Sequence, residues 1–225
     1  MTFSIAARCA RTGQFAIAVS SSSPAVAARC AHARAGVGVV ASQNITDPTL
    51  GPMGLGAMAE GLSAPEALSK ILSATPHASF RQVTMIDANG RTAMHSGSNT
   101  LGVHAMVAGI DAVAAGNLLA SANVPAAMIA AWQAEPQAHI GDRVLAAMRA
   151  AVAQGGEAGP IHSAGMLIVR DEAWPVADLR VDWHETDPIG ALDALWRRWQ
   201  PEMDAYVTRA LNPDAAPSYG VPGDI

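Results

Sequence analysis

Thr2-Phe3-Ser4-Ile5-Ala6-Ala7-Arg8 is the stretch from which the rest of the chain is read. Phe3, Ile5 and Ala7 alternate with Thr2, Ser4 and Ala6, the period of a strand with two different faces. Phe15, Ile17 and Val19 repeat the pattern against Ala16, Ala18 and Ser20, and Thr12-Gly13 supplies a turn, so residues 2 to 20 are expected to form an antiparallel hairpin. Thr2 then stands at one end of the first strand with the exit of the second beside it. That exit, Ser20-Ser21-Ser22-Ser23-Pro24, reads either as an ordinary strand end before proline or as a row of hydroxyls beside the N-terminus.

Position gives Thr2 a chemical meaning. Initiator methionine is usually removed when the next residue is small, and its removal would make Thr2 the first residue. One residue would then carry a nucleophilic hydroxyl together with a base, its free α-amine, whose reference pKa is near ~8. The plain alternative is that Met-Thr simply begins a sheet.

Further along, residues 25 to 34 suit a short helix or an irregular crossing, and Gly36 to Gln43 reads as a buried third strand. Gln43 and Asn44 leave the core at its end, where substrate-reading side chains are often placed. A helix is expected from about Pro52 to Glu60. Ser63-Ala64-Pro65-Glu66 is a capping box opening the next helix, whose apolar face is Ala67, Leu68, Ile71 and Leu72. Asn89-Gly90 turns a second hairpin between Arg81–Asp87 and Arg91–Ser96. One strand, about Met106 to Ala115, runs into Gly116-Asn117, where the asparagine is either a turn residue or an oxyanion donor. Helices over 125–132 and 141–153, strands over 163–170 and 178–182, and a last helix from Asp187-Pro188 complete the order. Consecutive hairpins argue against a doubly wound parallel sheet and for an α+β fold of two antiparallel sheets with helices outside.

Composition narrows the function classes. Of 225 residues half are hydrophobic but only 4% aromatic, so the core is made of small side chains. The net charge is −5, with thirteen arginines and Lys70 the one lysine, and no basic stripe that would serve a nucleic acid. No apolar run approaches the ~18 residues of a membrane span. Cys9 and Cys30 are neither a Cys-x-x-Cys pair nor enough for a zinc site; they read as packing residues, and a cytoplasmic location with reduced thiols is expected. Gly36-Val37-Gly38 and Gly54-Leu55-Gly56 imitate dinucleotide fingerprints without the strand, turn, helix order that binding needs. The seven histidines show no ligand spacing, and Gly-x-Ser-x-Gly, P-loop and His-Glu-x-x-His motifs are missing, so neither metal nor cofactor is expected.

Six stretches together resemble a known family. Thr2 to Arg8, Ala35 to Gln43, Gly51 to Leu55, Gly116 to Leu119, Ser163-Ala164 and Asp178 to Asp182 follow, in order, the pattern of the DUF1028 family, proteins of unassigned role placed with the N-terminal nucleophile hydrolase fold. The resemblance implies a four-layer αββα sandwich, here one domain over 1–200 with a C-terminal helix end and tail over 201–225. It places Thr2 as nucleophile, Ser21 as its polar partner, Asn117 as oxyanion donor, and Ser163, Gln43 and Glu157 at matching family positions. Two departures stand out: Ser22 where the family usually has lysine, and His162 where it has glutamine. His162 is either a local base or substrate contact or a structural residue.

The expected activity is hydrolysis of an amide bond in a small polar molecule, linear or cyclic amide or ureido compound, by Thr2 after loss of Met1. The competing expectation is a catalytically silent protein of this fold that binds a small molecule or a partner. Trp196 and Trp199 are candidates either for packing on their own domain or for an interface in a homo-oligomer.

Overall fold

In this computed structural model the described residues are 1–223; Asp224 and Ile225, the end of the expected tail, lie outside them. In chain order the elements are β1 (Thr2–Arg8), β2 (Phe15–Ser21), α1 (Ala27–Cys30), β3 (Ala31–Arg34), β4 (Gly38–Asn44), α2 (Leu50–Ala59), α3 (Ala64–Ala74), β5 (Arg81–Asp87), β6 (Thr92–Ser96), β7 (Ala105–Gly109), β8 (Ala112–Asn117), α4 (Val124–Ala134), α5 (Ile140–Ala153), β9 (Ser163–Val169), β10 (Ala177–Val181), α6 (Pro188–Trp199) and α7 (Met203–Leu211). Two antiparallel sheets form, in the orders β10-β9-β2-β1-β8-β7 and β3-β4-β5-β6.

Alternation in the opening hairpin divides the layers. Phe3, Ile5 and Ala7 join Met128, Trp132, Val144, Leu145 and Met148 in the core beneath α4 and α5. Ala6, Phe15 and Ile17 face the other way and meet Val39, Ala41 and Ile86 of the second sheet. Behind that sheet, Val40, Val83 and Met85 pack on Leu50, Leu55, Leu68 and Ile71 of α2 and α3. The result is helix, sheet, sheet, helix, with Phe15, Ile17 and Ile86 set among alanine and valine side chains between the sheets. Trp196 is almost wholly buried on its own core and donates to Asp142 Oδ1 at 2.7 Å, while Trp199 donates to Val176 O at 2.9 Å.

Several boundaries differ from the sequence reading. The expected strand over 106–115 is a hairpin: β7 and β8 turn at Ile110-Asp111, where Asp111 takes a left-handed φ of 53° that aspartate tolerates better than most residues. The ambiguous 25–34 segment splits into α1 and the edge strand β3. Helix α2 starts at Leu50, ahead of Pro52, because the first-turn N–H groups have no intrahelical partner for proline to remove. The expected helix end after residue 200 is a separate helix, α7, which buries Met203 and Val207.

Helix α6 crosses α5 closely at Gly141, where an added Cβ would lie 2.4 Å from the Trp196 ring. Gly56 in α2 has open space instead. Gly141→Ala should therefore destabilise the protein by about 1–3 kcal/mol through overpacking, whereas Gly56→Ala should stabilise it by about 0.5–1 kcal/mol, as helix propensity alone would have it. Urea unfolding of both variants checks the pair, and equal signs would contradict the assigned packing.

Candidate active site

At the end of the six-stranded sheet where β1 begins, one inward-facing row crosses four strands. Thr2 pairs in register with Asn117 of β8, and Ser21 of β2 pairs with Ser163 of β9. Phe3 faces Ser20, so Ser21 flanks Thr2 on its other side. Because side chains on a strand alternate, the register alone puts Ser163, Ser21, Thr2 and Asn117 on the face turned toward the second sheet. All four are buried.

The hydroxyls converge on one carbonyl. Thr2 Oγ1 donates to the Met1 carbonyl oxygen and lies 3.5 Å from Ser21 Oγ. Ser21 Oγ also donates to that oxygen, at 2.5 Å, while accepting the Ser23 N–H at 3.1 Å. Met1 itself is half-buried, and a Cβ added to Gly159 would stand 3.2 Å from its Cε.

Below this row a chain of amides joins the sheets. Ser4 Oγ donates to Gln43 Oε1 at 2.7 Å, and Gln43 Nε2 donates to Gln82 Oε1 at 2.7 Å. The same oxygen accepts Asn117 Nδ2 at 3.1 Å, and Gln82 Nε2 donates to Ser96 Oγ and to Gly116 O. Asn117 Oδ1 is buried without a partner, a costly state for a polar atom and one a ligand N–H would relieve. Sequence reasoning missed Ser4 and Gln82. Both had a signal: a polar residue on the inner face of a buried strand, and, for Gln82, a place at the mouth end of β5 that becomes the register partner of Gln43.

Glu157 lies beside the serine run that leaves β2. It is 4% exposed, and its two carboxylate oxygens accept the Ser22 N–H at 3.2 Å. Burial dominates and pushes its carboxyl up to about 7, against the opposing pull of the N-terminal ammonium and the Ser22 hydrogen bonds. Ser163 secures the serine loop: its hydroxyl donates to Ser23 O at 2.6 Å and accepts Val26 N–H at 3.3 Å. The remaining two sequence candidates turn aside. Asn44 ties Phe80 O and Leu101 N–H to the end of β4, and His162 contacts His184 O at 3.0 Å and stacks on Trp183 at 4.3 Å. Among the described residues no group of three His, Cys, Asp or Glu side chains could hold a metal ion, and no helix is long and apolar enough to cross a membrane.

Three of the five non-glycine residues with left-handed backbone among those described, Ala25, Asn44 and Leu118, lie at or shortly after the ends of β2, β4 and β8. Each such residue costs about 1–2 kcal/mol, and such strain persists where surrounding contacts over-determine the fold, often at functional sites. Leu118 is held on both sides, its N–H by Leu101 O and its carbonyl by Ala158 N–H.

The sequence model of DUF1028, a family of unknown function, matches residues 2–192, and the chain belongs to that family. The crystal structure of a Silicibacter pomeroyi protein assigned to DUF1028 superposes with a TM-score of 0.81 at 29% identity, covering 88% of each chain. Anbu (ancestral beta-subunit) from Yersinia bercovieri superposes with a TM-score of 0.38 at 9% identity over 91% of this chain and 97% of its own. No curated protein matches the chain.

The Glu157 carboxyl makes stability depend on pH. Its folded pKa, about 7, lies above the ordinary 4.5, so the folded protein keeps a proton that the unfolded chain has lost, and stability falls as pH rises between those values. In Glu157→Gln that contribution is gone. The melting temperature of the variant should rise relative to wild type as pH increases through this window and level off above it; a difference independent of pH would refute the assignment.

Proposed function

We propose that this DUF1028 protein hydrolyses an amide bond in a small polar molecule, a linear or cyclic amide or a ureido compound, with Thr2 as nucleophile once Met1 has been removed. The observation that carries the reading is the Met1 carbonyl, which accepts hydrogen bonds from both Thr2 Oγ1 and Ser21 Oγ. An acyl group on Thr2 Oγ1 would sit next to the one now on Thr2 N, because the two atoms are borne by adjacent carbons of one residue. The site thus already holds an acyl oxygen beside the nucleophile.

In this mechanism the free amine of Thr2 takes the hydroxyl proton, directly or through one water, as Oγ1 attacks the substrate carbonyl carbon. The C–N bond breaks with proton return to the leaving amine. Water then cleaves the acyl ester and regenerates Thr2. Ser21, polarised by the Ser23 N–H, is the donor for the developing oxyanion. Asn117 offers the second hydrogen of its amide and the unpartnered Oδ1, which suits the N–H of an amide or ureido substrate. Glu157 feels the charge of the Met1 ammonium and accepts the Ser22 N–H beside Ser21; in this reading it faces the Thr2 amine once Met1 has been removed.

The binding-module reading has one observation in its favour: Thr2 is only 5% exposed, so with Met1 in place no substrate reaches it. Intact mass and a panel of small amides and ureides, read by ammonia or amine release, separate the two. Met1 should be absent from active protein; Thr2→Ala should abolish turnover while remaining folded, and Thr2→Ser should retain it. Ser21→Ala should lower kcat by about 10²–10³ with little change in KM. Full activity with Met1 retained, or in Thr2→Ala, would remove Thr2 from the chemistry.

A further inference from the structure

The opposite end of β1 borders a cavity of about 370 Å³, lined by Arg8, Cys9, Arg11, Asp111, Gln133 and Arg143 among others. Six residue steps of extended chain lead from Thr2 to Arg8, about 20 Å, so it is no part of the site described above. Its size falls within the ~300–1,000 Å³ of small-molecule pockets.

Charge is unbalanced there. Three guanidinium groups line the cavity against the one carboxylate of Asp111. Asp111 is already committed to Arg8, 2.8 Å away. Arg143 is 8% exposed, lies with its Cζ 3.4 Å from the centre of the Trp132 ring, and uses Nε and Nη2 on Trp132 O. Those bonds fix the guanidinium plane without neutralising it. Burial lowers the Arg143 pKa, with Cys9 and Asp111 acting in the opposite direction. Arg11 reaches across the mouth to Gln137 O at 3.3 Å, and this exposed contact can open. Arg143 has a carbonyl and an aromatic face as partners but no counter-charge. Burying an uncompensated cation is costly, whereas a carboxylate or phosphate would meet one fixed guanidinium and one that can swing onto it.

We infer that this cavity is a binding site for a compact oxyanion, a carboxylate or phosphate group, clamped between Arg143 on its floor and Arg11 at its mouth.

Calorimetric titration with malonate and with inorganic phosphate tests the site, with acetamide as the neutral control. Saturable binding of at least one anion and none of acetamide is expected, and the stronger of the two identifies the source of the oxyanion. Arg11→Gln should weaken binding about tenfold, the loss of one charge-assisted contact. Arg143→Lys, which keeps the charge and loses the fork, should weaken it at least as much, whereas Arg198→Gln on the exposed face of α6 should leave it unchanged. Should Arg143→Lys fail to fold, Arg11→Gln decides alone. Absence of saturable binding of both anions, or equal binding in Arg11→Gln and wild type, would overturn the inference.

Discussion

Everything at the candidate site depends on the register of β1, which is hydrogen-bonded to β2 on one side and β8 on the other. A strand has only two faces, so a slip of one residue would turn Thr2 into the helix layer and bring Phe3 between the sheets. Two neighbouring ladders fix the register twice over. The large residues of β1 reinforce it, because Phe3 and Ile5 pack in the core beneath α4 and α5. On the opposite face of β1, Ala6 fits among Phe15, Ile17, Val39, Ala41 and Ile86, which already fill the space between the sheets. Steric selection in the core therefore places a hydroxyl at the edge.

This explains how much was legible. Period-two alternation exposed the opening hairpin, the antiparallel sheets and the exit of the second strand beside Thr2, because these follow from local pattern and backbone pairing, whereas Ser21 as the partner of Thr2 came from the family resemblance. The β7–β8 hairpin was hidden by its own apolarity: Met106 to Ala115 reads as one strand because the turn keeps only Gly109 and Asp111 as markers. Gln82 was out of reach for another reason. Its partners Gln43 and Asn117 come from different sheets, and their meeting depends on sheet separation, which no single-strand pattern encodes. Glu157 entered only through family resemblance. Its burial results from two loops joined by the Leu119–Glu157 bridge.

The two ends of β1 differ in kind. At the Thr2 end, hydroxyls and amides bond to one another, apart from Asn117 Oδ1, and the charges nearby are the N-terminal ammonium and a carboxyl raised to about 7 by burial. At the Arg8 end, guanidinium groups outnumber carboxylates around an open cavity. One strand thus joins an environment of hydroxyls and amides to one rich in guanidinium groups, with alanine and isoleucine between them.

The placement of Met1 bears on how the protein can be handled. Its carbonyl is gripped by two hydroxyls and its side chain rests toward Gly159, so anything fused ahead of it would load the contacts around Thr2. Residues 212–223, beyond α7, are mostly exposed. Affinity handles, fluorophores and surface tethers belong at that end; attached at the other, they would keep Thr2 from ever becoming a terminus.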